Sequence, residues 1–99
     1  MKVKQCESLQ EIRDEIDKVD EQIIDLIAHR KNYVAQAARF KHSVAEIKAD
    51  DRIEDVLNHV RHKALSLGLS PNLVIELFSR MIHDMVETEI SEFRNAKNF

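Results

Sequence analysis

The spacing of apolar residues over the first forty positions constrains this chain more than any other feature. Leu9, Ile12, Ile16, Val19, Ile23, Leu26, Ile27, Val34, Ala37, Ala38 and Phe40 recur mostly in steps of three and four, the α-helical period. No Gly or Pro interrupts before Lys41. The pattern predicts one helix of roughly 33 residues, about 50 Å long at 1.5 Å rise per residue. Its start carries a capping box, Ser8-Leu9-Gln10-Glu11, in which the Ser hydroxyl accepts from the Glu N–H and the Glu side chain reaches back.

The rest of the chain reads as two shorter helices. The segment His42–Ala49 has weak periodicity and few apolar anchors, so it is expected to be a mobile connection at the edge of any site. Asp50 or Asp51 is expected to cap the second helix, which carries Ile53, Val56, Leu57, Val60, Ala64 and Leu67 on one face. Gly68 ends it as a residue past the C-cap. Ser70-Pro71 opens the third helix, a cap followed by Pro where a missing N–H costs nothing. Leu73, Leu77, Phe78, Met81, Ile82, Met85, Val86, Ile90 and Phe93 then run toward the C-terminus. The fold class is therefore all-α: a three-helix chain with one long N-terminal helix, expected to be a single domain over residues 1–99. The second and third helices span about 25 and 40 Å. Within one small chain they cannot cover a 50 Å apolar stripe, and soluble monomers avoid leaving such a patch exposed. A second copy lying antiparallel along the first helix would cover it, giving a homodimeric helical bundle.

Composition excludes several classes. One Gly and one Pro in 99 residues leave almost nothing from which to build hairpins. A net charge of −3 gives no basic footprint for nucleic acid. Apolar runs are broken by charge within a few residues, as at Ile23-Ile24-Asp25, so no membrane span is expected. The N-terminal residues lack an apolar signal core, and the lone Cys6 excludes an internal disulfide, which suits a reducing cytoplasm. A single Gly provides no phosphate-cradling loop or dinucleotide fingerprint. His59 and His62 have a spacing found in metal sites, but no third ligand accompanies them, and a solvated face is the plainer reading. No cofactor and no metal are expected.

Chemistry is suggested by charges where apolar residues should stand. On a helical wheel Val34, Ala37 and Lys41 fall within about 40° of Arg30, which makes a shallow hollow between two cations. Lys41 would lie roughly 16 Å from Arg30 along the axis. Arg13 is some 80–100° away in azimuth and cannot join Arg30 from the same chain, although across an antiparallel dimer it can. Each cation alone is an ordinary snorkelling side chain. Glu89 is in phase with Phe78, Ile82 and Met85. A carboxylate on an apolar stripe is costly unless paired, protonated or used, or unless the helix frays there and leaves it wet.

Arg13, Arg30 and Lys41, then Asp51-Arg52 opening the second helix and a polar residue late in the third, form a recognisable order. With Leu9-Gln10-Glu11-Ile12-Arg13-Asp14-Glu15-Ile16-Asp17, Tyr33-Val34, Ala37-Ala38-Arg39-Phe40-Lys41, Leu77-Phe78 and Met81-Ile82-His83, the chain resembles the all-helical chorismate mutase family over roughly residues 6–95. Within that family the likeness is to the isochorismate pyruvate-lyase branch. The resemblance implies an intertwined dimer with two active sites, each using residues of both chains. It implies that Arg13 reaches into the partner's site and, with Arg30, clamps the two carboxylates of a dicarboxylate substrate, a task suited to guanidinium forks. Lys41 would donate to the ether oxygen and a carboxylate, and Arg52 would close the site. Glu89 stands where the family has Gln or, in some members, Glu. To donate to the ether oxygen Glu89 must be protonated.

Two departures bear on the reaction. The position after Arg52, where mutases of this class carry a carboxylate that contacts the ring hydroxyl, is Ile53, and the Asp three residues before Arg52 is replaced by Ala49. An apolar Ile53 suits isochorismate, whose hydroxyl lies elsewhere on the ring. Glu89 is not the Gln of the lyase branch. The expected activity is isochorismate pyruvate-lyase, yielding salicylate and pyruvate, with chorismate mutase as a side activity. The alternatives are a mutase as the main activity, or a helical dimerisation or regulatory module with a dead site.

Overall fold

The computed structural model describes residues 2–49 and 51–97. Among them there are helices and no strand: α1 (Leu9–Ala37), a 3-10 turn (Ala38–Phe40), α2 (Val44–Lys48), α3 (Arg52–Ser66) and α4 (Pro71–Lys97). The three long helices are those expected from the apolar period. The chain divides into two compact units, Met1–Arg30 and Lys31–Phe99. No helix among the described residues is long and apolar enough to cross a membrane.

In the first unit the capping box forms. The Glu11 N–H donates to Ser8 Oγ at 3.1 Å. The Glu11 carboxylate accepts from the Glu7 N–H at 2.7 Å, one residue before the cap itself. From there α1 continues unbroken, yet none of its residues is buried. Ile12, Ile16, Val19, Ile23 and Ile27 remain between 42% and 52% exposed. The periodic stripe predicted from sequence is present and exposed.

In the second unit α3 and α4 pack together, and the C-terminal half of α4 also receives the 3-10 turn and α2. The α3–α4 corner is a Schellman motif. Gly68 takes φ +73°, its N–H donates to the Leu65 carbonyl, and the Leu69 N–H donates to the Ala64 carbonyl. This is the left-handed residue that only Gly adopts without steric cost. Ser70 then caps α4, accepting from the Leu73 N–H at 3.4 Å. Ala38, Ile47, Ile90 and Phe93 form a buried cluster, with Val44 and Val86 against it.

Three expectations are corrected. The first helix ends at Ala37 rather than near Lys41, so α1 has 29 residues. Ala38 turns into the core as the chain tightens to 3-10 geometry, and Lys41 follows with extended backbone. The segment 42–49 is not an unanchored connection. Ser43 caps the five-residue α2, and Ile47 is 1% exposed. Asp51 occupies the N-cap of α3 but makes no side-chain cap bond, because its own backbone is already helical. Asp50, the other expected cap, lies outside the described residues.

Candidate functional site

Within α1, Arg13 is exposed and Arg30 half-buried. They are 17 positions apart, about 25 Å along the axis and on faces roughly 100° apart. No small ligand bridges both from one helix. Val34 and Ala37 are half-buried on the stripe that contains Arg30, as the wheel predicts. Lys41 does not continue that stripe. It lies beyond α1, at the C-cap of the 3-10 turn, with φ −93° and ψ 151°.

The second unit holds Lys41, Arg52, Ile53 and Glu89. Lys41 is half-buried and Arg52 stands exposed as the first residue of α3. Ile53, half-buried, lines a cleft of about 430 Å³ with Lys48, Leu57, Ile82, His83 and Val86. That volume lies in the range of small-molecule sites. The lining of the cleft mixes these apolar side chains with polar ones, Ser79 and Glu87 included, and Lys41, Arg52 and Glu89 do not line it.

Glu89 is the buried charged side chain among the described residues, at 7% exposure. The helix does not fray before it: α4 continues to Lys97, and Ile90 and Phe93 beside it belong to the buried cluster. The alternative of a wet, frayed Glu89 is therefore excluded. No buried side-chain nitrogen or oxygen among the described residues lacks a hydrogen-bond partner, so the carboxyl group is satisfied. A buried carboxyl on an otherwise apolar stripe costs stability unless so compensated, and it marks this end of α4 as the chemically unusual one.

Three residues with structural consequences for the site were not expected from sequence: Ser43, Glu46 and Ile47. The Glu46 N–H donates to Ser43 Oγ at 3.1 Å, and the Glu46 carboxylate accepts from the His42 N–H at 2.9 Å. Ser43-Val44-Ala45-Glu46 has the same Ser-x-x-Glu signature as Ser8-Leu9-Gln10-Glu11. That signal would have found α2.

The two spaced histidines behave as a solvated face. Both His59 and His62 are exposed, and His62 Nδ1 lies 2.7 Å from the Asn58 carbonyl one turn earlier. No group of three or more His, Cys, Asp or Glu among the described residues could hold a metal ion.

The family model for chorismate mutase type II matches residues 12–90. An isochorismate pyruvate lyase of Pseudomonas aeruginosa is 34% identical over 92 residues, covering 93% of this chain and 91% of that protein. A T-protein of Enterobacter agglomerans is 30% identical over 79 residues, covering 79% of this chain and 21% of that protein. A T-protein of Haemophilus influenzae is 31% identical over 84 residues, covering 84% of this chain and 22% of that protein. Against the two T-proteins the chain thus matches about a fifth of the relative's length, and against the lyase nearly all of it.

Proposed function

The chain belongs to the chorismate mutase type II family, and within it we propose an isochorismate pyruvate-lyase that also rearranges chorismate to prephenate slowly. The observation that carries this reading is the likeness to an isochorismate pyruvate lyase along nearly the full length of both chains. The apolar Ile53 directly after Arg52 supports it, since mutases of this class carry at that position a carboxylate that contacts the ring hydroxyl.

The working form is proposed to be a cytoplasmic homodimer of single-domain chains. The exposed apolar stripe of α1 supports a second copy, because about 25 cal/mol is gained per Å² of apolar surface withdrawn from water. The 25 Å between Arg13 and Arg30 supports a shared site. Arg30 of one chain and the second copy's Arg13 would take the two carboxylates. No metal, cofactor or nucleic acid enters the proposed reaction.

The chemistry then needs no nucleophile. In the lyase reaction the ether C–O bond breaks while a ring hydrogen passes to the enolpyruvyl methylene carbon. Pyruvate leaves and the ring becomes salicylate. The protein's task is to hold the folded conformer and to stabilise negative charge growing on the ether oxygen. Lys41 and protonated Glu89 would donate to that oxygen, and Arg52 would close the site. A mutase as the main activity is favoured by one feature, the Glu at position 89 in place of the Gln of the lyase branch.

Incubation of the purified chain with isochorismate and, separately, chorismate tests the reading. Salicylate and pyruvate from isochorismate, with slower prephenate from chorismate, are expected. Prephenate as the efficient product would make the chain a mutase, and no turnover of either would leave a helical module with a dead site.

A further inference from the structure

Lys41 stands between helices, so something other than a helix must fix its backbone. On its N-terminal side the Lys41 N–H donates to the Ala38 carbonyl at 3.3 Å, and Ala38 is buried. On its C-terminal side the next N–H, that of His42, donates to Glu46 Oε2 at 2.9 Å. That N–H shares a planar peptide unit with the Lys41 carbonyl, so a bond that holds it also holds ψ of Lys41. Glu46 is itself fixed from two directions. Its N–H donates to Ser43 Oγ, and its neighbour Ile47 packs with Ala38, Ile90 and Phe93. The same buried cluster, next to Glu89 on α4, therefore anchors the chain on both sides of Lys41.

We infer that Glu46 is a positioning residue: its carboxylate bond to the His42 amide holds the Lys41–His42 peptide, and thereby the backbone that carries the proposed ether-oxygen donor. The inference rests on the reading of Lys41 given above. Hydrogen bonds from a backbone N–H to a carboxylate are among the stronger ones, and small misplacements of a catalytic group are expensive in rate. Glu46 is exposed, so its replacement leaves Ile47 and the cluster in place. The signature of such a role is a loss in kcat larger than the change in KM, because the carboxylate-clamping Arg13 and Arg30 are untouched. Rescue by a side chain that keeps the acceptor oxygen is the second signature.

The test compares wild type, Glu46→Ala and Glu46→Gln in isochorismate turnover, together with amide hydrogen exchange over residues 42–48. Glu46→Ala should lower kcat about ten- to a hundredfold with KM changed far less, and should speed exchange at His42. Glu46→Gln, whose amide oxygen accepts the same bond, should stay within about threefold of wild type. Adding Glu46→Ala to Lys41→Ala should cost nothing further, the non-additivity expected of residues that act through one another. Wild-type kcat in Glu46→Ala, equal damage in both Glu46 variants, or a full extra loss in the Lys41→Ala background would each overturn the role of Glu46. Absence of turnover by the wild-type chain would sink the lyase reading and the catalytic meaning of Glu46 with it, which distinguishes that failure from the others.

Discussion

The first thirty residues and the remainder of the chain follow the same apolar period and end differently. Along α1, Ile12, Ile16, Val19, Ile23 and Ile27 form a regular stripe, and all of them remain exposed. Along α4, Ile82, Met85, Ile90 and Phe93 form an equally regular stripe, and all of them are buried. α4 has α3, α2 and the 3-10 turn against it, whereas α1 buries no residue at all. Periodicity dictates that a helix has a face to cover; it does not say whether the cover belongs to the same chain.

The comparison extends to chemistry. The second unit contains Lys41, Arg52, Ile53 and the buried Glu89, and the first contains Arg13 and Arg30. If the first unit serves a site completed by another copy, its residues and those of the second unit should fail in different ways when altered.

The largest effect is expected at Lys41. Lys41→Ala should reduce kcat by about 10²- to 10³-fold, the usual loss of one donor to a developing oxyanion, without changing the melting temperature beyond a few degrees. Steady-state kinetics on isochorismate measure it. A kcat within threefold of wild type would remove Lys41 from the chemistry.

Next come two isoleucines that sharpen the structural contrast. Ile47→Ala empties a site in the core of the second unit and should cost about 2–4 kcal/mol at any protein concentration. Ile16→Ala should cost less in a dilute single chain, and its effect should depend on protein concentration, as for any group whose burial requires association. Thermal unfolding at two concentrations a hundredfold apart separates them. Concentration-independent loss at Ile16 would contradict a covering second copy.

A smaller effect is expected at Glu89, and it lies in the shape of the pH profile. In the proposed role the protonated carboxyl would donate to the ether oxygen and the carboxylate would repel it, so activity should fall as pH rises and Glu89 loses its proton. Glu89→Gln donates at every pH and should flatten that limb. An identical pH profile in the variant would show that Glu89 does not act as a donor.

Much of this was legible in the sequence, because the deciding signals are local. The Ser8 capping box, the Gly68 stop, the Ser70-Pro71 start and the phase of Glu89 each depend on residues within a turn or two, and each is found in the structure. Two features were not read. α2 has five residues, shorter than the window over which a helical period can be recognised. A single buried side chain, Ile47, anchors it, and only the Ser43-x-x-Glu46 cap betrays it. The end of α1 was misplaced because no Gly or Pro marks it. Ala38 leaves the helix and packs with Ile90 and Phe93, a tertiary cause that no local signal carries. The period alone therefore carries Lys41 onto a helical stripe that in the structure stops before it.

The central claim, that each site is completed by Arg13 of a second copy, is tested most directly by mixing two inactive variants. Arg13→Ala and Lys41→Ala chains, each inactive alone, are unfolded together, refolded and assayed with isochorismate. If Arg13 acts in the partner's site, a mixed dimer has one site with both residues intact. Random pairing then makes half the dimers mixed and restores about a quarter of wild-type activity. If Arg13 acts within its own chain, no mixed dimer contains an intact site, and activity that stays at the level of the separate variants would contradict the account.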